Sequence, residues 1–265
     1  MAIQNFKPTI WRARLLSNLQ KAHVLASISN REYEGEISAA GDTVKIGSIG
    51  RVSVNDYTGS INYEELEDAS VKLTVDQEKY FAFKVDDVDA AQSNANQMDE
   101  AMSEASYGLS DASDQYLADF YTDAGITVTE GTFNSSAVYE TITDVSKEMQ
   151  ENDIPADAPK WMVVKPATYQ KILLAEIDKS TDNISTLGEG AVMHTMGFDV
   201  FVSNNLTNDM AGSYRSLAFV EQILDTESLR LENSFSDAVR GLYVYGAKVI
   251  RPDELVNLDL TIASE

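Results

Sequence analysis

Residues 43–85 alternate apolar and polar side chains over two long runs with no helical period between them, and this pattern constrains the fold more than any other stretch. Val44, Ile46, Val52 and Val54 alternate on the outgoing run, and Val71, Leu73, Val75, Phe81, Phe83 and Val85 on the return. Asn55, Asp56 and Gly59 supply turn chemistry at the tip, where Glu64, Glu65, Glu67 and Asp68 favour solvation. The expectation is one two-stranded ribbon over 43–85. A lone ribbon is marginal in water, and each exposed Val, Leu or Phe forgoes about 1.5–3 kcal/mol of burial. The ribbon must therefore lie on something else. Much of a chain of 265 residues is needed for its own core, so the expected cover is another copy.

Charge narrows the partners. There are 43 acidic and 20 basic residues, a formal net charge of -23. The one basic grouping is Arg12, Arg14 and Lys21, which argues against tight nucleic-acid binding, since affinity for phosphates comes from Lys and Arg. Such a charge also opposes packing of copies, so apolar burial or cations must offset the repulsion. The chain has no cysteine, which excludes disulfides, a thiolate nucleophile and a Cys zinc site. No apolar run is long enough for a membrane helix, and MAIQNFKPTIWRARLL lacks the pattern of a secretory signal.

Near the start, Ile10, Trp11, Leu15, Leu16 and Leu19 recur at helical spacing after Pro8 and Thr9. Two readings stand: a first helix packed on its own core, or an arm that anchors Trp11 on a neighbour. Residues 86–121 carry the strongest helical signal. Asp86 and Asp87 offer a cap, and Val88, Ala91, Ala95, Met98, Met102, Ala105, Leu109, Ala112 and Tyr116 recur in steps of three and four. This Ala- and Met-rich stripe suits packing on a sheet of the same chain better than a coiled-coil seam. Gly108 lies within it and is a candidate for a bend. After Gly125, helices and strands alternate: a helix through Val138, Ile142, Val145 and Met149, a buried strand Trp161–Val164, a helix opened by Pro166, a polar loop over 180–190, and strands at 198–202 and 216–220 around the turn-rich NNLTND. The last forty residues return to strand as ESLRLENSF and GLYVYGAKVI, then a tail from Pro252. Gly246 interrupts the second run and predicts a bulge or a close backbone approach.

No catalytic pattern assembles. His23 and His194 are far apart and lack metal-ligand spacing, so packing or surface roles are expected. GSIG at 47–50 lacks the Lys of a phosphate loop and sits in the ribbon, and GEG at 188–190 is too short for a dinucleotide fingerprint. Asp86, Asp87 and Asp89 lack the Gly and distal Glu of a calcium loop. A glycoside hydrolase would need two carboxylates across a cleft, which sequence alone does not single out. No catalytic, cofactor or metal residue is expected, and no enzyme.

The order of arm, ribbon, long helix, α/β block and returning strands resembles the major capsid proteins of tailed bacteriophages of the siphophage type, with the Hong Kong 97-like fold also seen in encapsulins. FKPTIWRARLLSNLQKAHVLASISNREYEGEI with GDTVKIGSIGRVSV is similar to their arm and ribbon opening. WMVVKPATYQKILLA and GFDVFVSNNL resemble their axial segments, and VRGLYVYGAKVIRPDELV their C-terminal strand. The resemblance implies an α+β fold: N-terminal arm 1–35, extended β-hairpin loop 36–85, peripheral domain with spine helix 86–133, axial domain 134–225 and peripheral return strands 226–265. It implies a structural protein that self-assembles through pentamers and hexamers into an icosahedral shell enclosing double-stranded DNA, without sequence-specific binding. Shell assembly in the host cytoplasm, a virion location, a separate scaffolding protein and a portal protein follow from it, with no membrane partner. Trp11, Arg51, Val52, Val54, Tyr57, Tyr63, Val71, Leu73 and Val75 are the expected inter-subunit contacts. Some such proteins crosslink a loop Lys to an Asn; Lys45, Lys72, Lys79 and Lys84 are candidates, but no acid is positioned to promote it. The alternatives are an encapsulin-like compartment for protein cargo and, more remotely, an acidic-cleft carbohydrate-active enzyme.

Overall fold

The structure is a computed structural model that describes residues 24–33, 41–49, 68–86, 97–155, 158–179, 194–230 and 236–262. Strands β1 (Thr43–Ile49) and β2 (Asp68–Thr74) form the two-stranded ribbon. They pair antiparallel, with Val44 opposite Leu73, Lys45 opposite Lys72 and Ile46 opposite Val71, so the period-two pattern puts the apolar set on one face. The ribbon is shorter than the sequence implied. Strand β3 (Gln77–Asp86) leaves it after Asp76 and pairs with β10 (Ser236–Val249), which pairs in turn with β9 (Leu217–Arg230). Alternation predicted both strands but not their partners, because Phe81 and Phe83 satisfy the same pattern against a different core.

The expected long helix differs at both of its ends, while Val88, Ala91 and Ala95 of its stripe lie outside the described residues. β3 runs through Asp86, which pairs with Ser236 and therefore caps no helix, and α2 spans Gln97–Ala118, followed by a 3-10 turn over Asp119–Asp123. A four-residue helix, α1 (Leu25–Ile28), precedes it. α2 continues through Gly108, which has open space around it. Met102, Leu109, Leu117 and Ala118 of α2 pack with Val239, Tyr243, Tyr245, Ala247 and Val249 of β10 and with Phe219 and Ile223 of β9. The expected helix-on-sheet packing is thus present.

A second, mixed sheet has six strands in the order β4-β11-β8-β5-β7-β6, with β4 at Ile126–Phe133, β5 at Lys160–Val164, β6 at His194–Thr195, β7 at Phe198–Val202, β8 at Asp209–Ser213 and β11 at Leu255–Ile262. α3 (Val138–Glu151) and α4 (Pro166–Lys179) cover one face through Val138, Ile142, Val145, Met149, Ile172 and Ala175. Trp161 and Val163 point the other way, into the core shared with α2, while Met162 and Val164 face α3 and α4. A strand buried on both faces reads as an unbroken apolar run, which is why WMVV stands out in sequence. β4 and β11, grouped from sequence with the long helix, hydrogen-bond in this sheet, and the start of β9 belongs to the three-stranded one.

Candidate assembly elements: the ribbon root and the N-terminal strap

The ribbon rests on the face of the three-stranded sheet opposite α2. Val44 and Ile46 of β1, Leu73 of β2 and Val75 just beyond it bury themselves against Ala218 and Val220 of β9 and Val244 of β10. Gly246 makes the close approach possible. A Cβ there would meet the Thr74 carbonyl oxygen at 2.4 Å and the Val75 Cα at 2.9 Å, both backbone atoms unable to rotate away. The root closes with hydrogen bonds from the Gly41 amide to the Val75 carbonyl (2.9 Å) and from the Val75 amide to the Asp42 carbonyl (3.0 Å). Tyr116 of α2 donates its hydroxyl to Asp76 Oδ1 at 3.1 Å, tying the exit of the ribbon to the helix. Burial, then the Asp76 carboxylate, pushes the Tyr116 phenol well above its ordinary pKa.

Residues 24–33 form a strap fixed by two carboxylates from the core. Asp114 of α2, 4% exposed, accepts the amides of Val24 at 2.8 Å and Ala26 at 3.3 Å, satisfying donors at the start of α1. Asn30 then bridges the edge of β9: its amide donates to the Leu217 carbonyl at 2.8 Å and its carbonyl accepts from the Phe219 amide at 3.0 Å. The strap thereby covers part of a strand edge that would otherwise invite pairing. Arg31 follows with an ion pair to Glu221, whose side chain is 1% exposed, and Tyr243 donates its hydroxyl to the same carboxylate. Burial first, and Glu221 second, raise the Tyr243 phenol far above its ordinary pKa. Arg31 also lies 6.0 Å from the centre of the Phe219 ring.

Of the expected inter-subunit residues, Trp11, Arg51, Val52, Val54, Tyr57 and Tyr63 lie outside the described residues. Val71 is half-buried, whereas Leu73 and Val75 are fully buried in the core of their own chain. The apolar root that sequence reasoning gave to a neighbour therefore has its cover within the subunit, because the ribbon folds back over β9 and β10. Sequence reasoning found Gly246 but missed Arg31, Asp76, Asp114, Tyr116, Glu221 and Tyr243. Nothing local marks these residues, whose partners lie up to 190 positions away in the chain.

In the six-stranded sheet, His194 is exposed and its Nδ1 lies 3.0 Å from Asp199 Oδ1. Asp199 also accepts from the Tyr214 hydroxyl at 2.9 Å. These two hydrogen bonds lower the Asp199 pKa, while burial and then the carboxylate push the Tyr214 phenol up to about 12. Buried Asp209 caps α4 through the Lys165 amide (2.7 Å) and the Thr168 hydroxyl, and burial raises its pKa. Among the described residues no group of three His, Cys, Asp or Glu side chains could hold a metal ion.

A long helix on a three-stranded sheet, a ribbon rooted on the opposite face and a helix-covered mixed sheet together make up the Hong Kong 97-like fold of capsid proteins. A solved structure from Mycobacterium phage Che8 matches with 30% identity and a TM-score of 0.74, over 89% of this chain and 91% of that one. The capsid structure of the cyanophage P-SCSP1u matches at 14% identity and a TM-score of 0.69, over 86% and 85%. A virus-like particle from Pyrococcus furiosus matches at 13% and 0.57, over 95% and 98%. These last two likenesses are of fold alone. No curated protein sequence matches. The family model described as phage capsid protein matches residues 70–258. The chain belongs to that phage capsid protein family. It is a structural protein of the virion capsid, not an enzyme.

Proposed function

We propose that copies of this chain assemble through pentamers and hexamers into the icosahedral shell of a tailed phage that encloses double-stranded DNA, with residues 50–67 of each ribbon reaching over a neighbour. The observation that carries this reading is the way the ribbon is held. Val44, Ile46, Leu73 and Val75 bury its inner face against β9 and β10 of the same chain, so the subunit holds the ribbon by its root and leaves the opposite face of β1 and β2 to other contacts. A heterologous contact of this kind propagates around a closed shell, since each copy both gives and receives an arm. The segment before the strap, with Trp11, serves as a second exchanged element in this reading. DNA is confined without tight binding, consistent with a net charge of -23. A scaffolding protein and a portal protein complete the expected partners, assembly takes place in the host cytoplasm, and the peripheral and axial roles of the two sheets follow from the resemblance. The 30% identity with the Mycobacterium phage Che8 structure favours a phage shell over a cargo compartment.

Expression of the full chain, followed by sedimentation and negative-stain microscopy, tests the reading. Closed shells or five- and sixfold rings are the expected products. A protein that stays monomeric with and without a co-expressed scaffold would overturn it.

A further inference from the structure

Two like-charge pairs stand exposed on elements that face different ways. On the outer face of the ribbon, Lys45 and Lys72 are register partners, both exposed, on the side opposite Val44, Ile46 and Leu73. Directly opposed side chains of an antiparallel pair sit about 4.5–5.5 Å apart at Cβ, where like charges are destabilising. On α2, Glu100 and Glu104 are both exposed and one turn apart, about 5–6 Å between Cβ atoms, and the helix sequence QMDEAMSEASYGLSDASDQYLA offers neither of them a Lys or Arg. Among the described residues none of these four side chains forms an ion pair. Tyr107, 60% exposed, continues the Glu100–Glu104 stripe by one turn.

We infer that the Lys45–Lys72 pair of one copy docks on the Glu100–Glu104 stripe of α2 in a neighbouring copy, with Tyr107 at its border. The inference rests on the shell reading above and adds the residues through which copies recognise each other. Each pair costs the isolated subunit some stability, and each relieves the other when copies meet. The spacings match within about 1 Å, so two parallel ion pairs can form at once. The sign also fits. In a chain with 43 acids and 20 bases, an exposed pair of lysines is the scarce charge, and the carboxylates of another copy are the abundant complement. An exposed tyrosine beside the carboxylates offers a lysine stem an aromatic face. Complementary charge of this kind sets register and suppresses wrong pairings between copies.

Charge swapping tests the inference in the full chain. Lys45→Glu with Lys72→Glu, and separately Glu100→Lys with Glu104→Lys, should each raise the subunit concentration needed for assembly about tenfold. The fourfold variant carrying all four changes should return to within about twofold of the unmodified chain. Assembly unaffected by either double change, or a fourfold variant no better than the ribbon change alone, would overturn the docking while leaving the shell reading intact. So would ribbon variants that close normal shells but lose retained DNA, since the lysines would then serve phosphates. An unmodified chain that never assembles refutes the shell reading itself. Lys45→Glu alone serves as the folding control. It places an acid opposite Lys72, so the dissociated subunit should melt no lower than before while assembly weakens. A parallel fall in both would put the lysines in the subunit's own fold.

Discussion

Gly246→Ala tests whether the ribbon is gripped as described. The added methyl would sit 2.4 Å from the Thr74 carbonyl oxygen and 2.9 Å from the Val75 Cα, against an ordinary contact of 3.4–4 Å, so the ribbon root must move outward by about 1 Å. Burial of four side chains such as Val44, Ile46, Leu73 and Val75 is worth roughly 6–12 kcal/mol. A gap of about 1 Å forfeits at least a quarter of the close-contact attraction, about 2–3 kcal/mol. Replacing Gly in a strand returns about 0.5–1 kcal/mol of backbone entropy. The net expectation is a loss of about 1–2 kcal/mol in urea unfolding of the dissociated subunit, or about 2–8 °C in Tm. Hydrogen exchange should localise the loss to amides of 43–49 and 68–75. Gly108→Ala is the matched control: its Cβ meets nothing within 4 Å, and it should stabilise the helix by about 0.5–1 kcal/mol. An unchanged melting temperature in Gly246→Ala, with the ribbon amides as protected as before, would refute the grip.

Arg31→Ala should cost about 2–4 kcal/mol in urea unfolding because it leaves the buried Glu221 carboxylate one partner short, whereas Arg31→Met with Glu221→Leu and Tyr243→Phe, which removes the hydroxyl that donates to Glu221 as well, should cost less than the single change. Asp209→Ala removes the cap of α4 and should cost about 1–2 kcal/mol. Asp209→Asn has a different signature. Burial raises the folded-state pKa of Asp209 above its unfolded value, so the favourable contribution of its protonation is complete below the unfolded pKa and is lost as pH rises through the folded one. Relative to Asp209→Asn, the unmodified chain should therefore lose stability as pH rises from about 3 towards neutrality, measured by urea unfolding at each pH; a difference independent of pH would contradict that shift. Replacing residues 52–66 with a short turn should leave a folded, soluble subunit that forms no shells by sedimentation, and normal shells would show the ribbon tip to be dispensable.

Much of the fold was legible because its signals are local. Alternation marked β1, β2 and β3, the double burial of β5 marked WMVV, and Gly246 marked the close approach of two backbones. Partner choice was not legible. Phe81 and Phe83 continue the period of the ribbon strand, yet they pack under α2, since alternation records which face is apolar and not which sheet supplies the cover. β8 escaped notice because DMAGS is short and built of small residues, although it lies fully buried between β11 and β5. Asp86 looked like a cap but is strand, held there by pairing with Ser236. A ribbon in isolation cannot bury Leu73 and Val75, which in sequence points to a neighbour; only the path of β9 and β10 shows that the subunit can. The carboxylates of Asp114 and Glu221, among 43 acids, acquire meaning only once the strap lies across them.

The most direct measurement is a cryo-electron microscopy reconstruction of particles assembled from the full chain. The account predicts closed icosahedral particles in which β1 and β2 stay rooted on β9 and β10 of their own subunit while residues 50–67 lie on an adjacent one. Particles in which that segment folds back on its own subunit, or a ribbon root lifted from Val244 and Gly246, would contradict it.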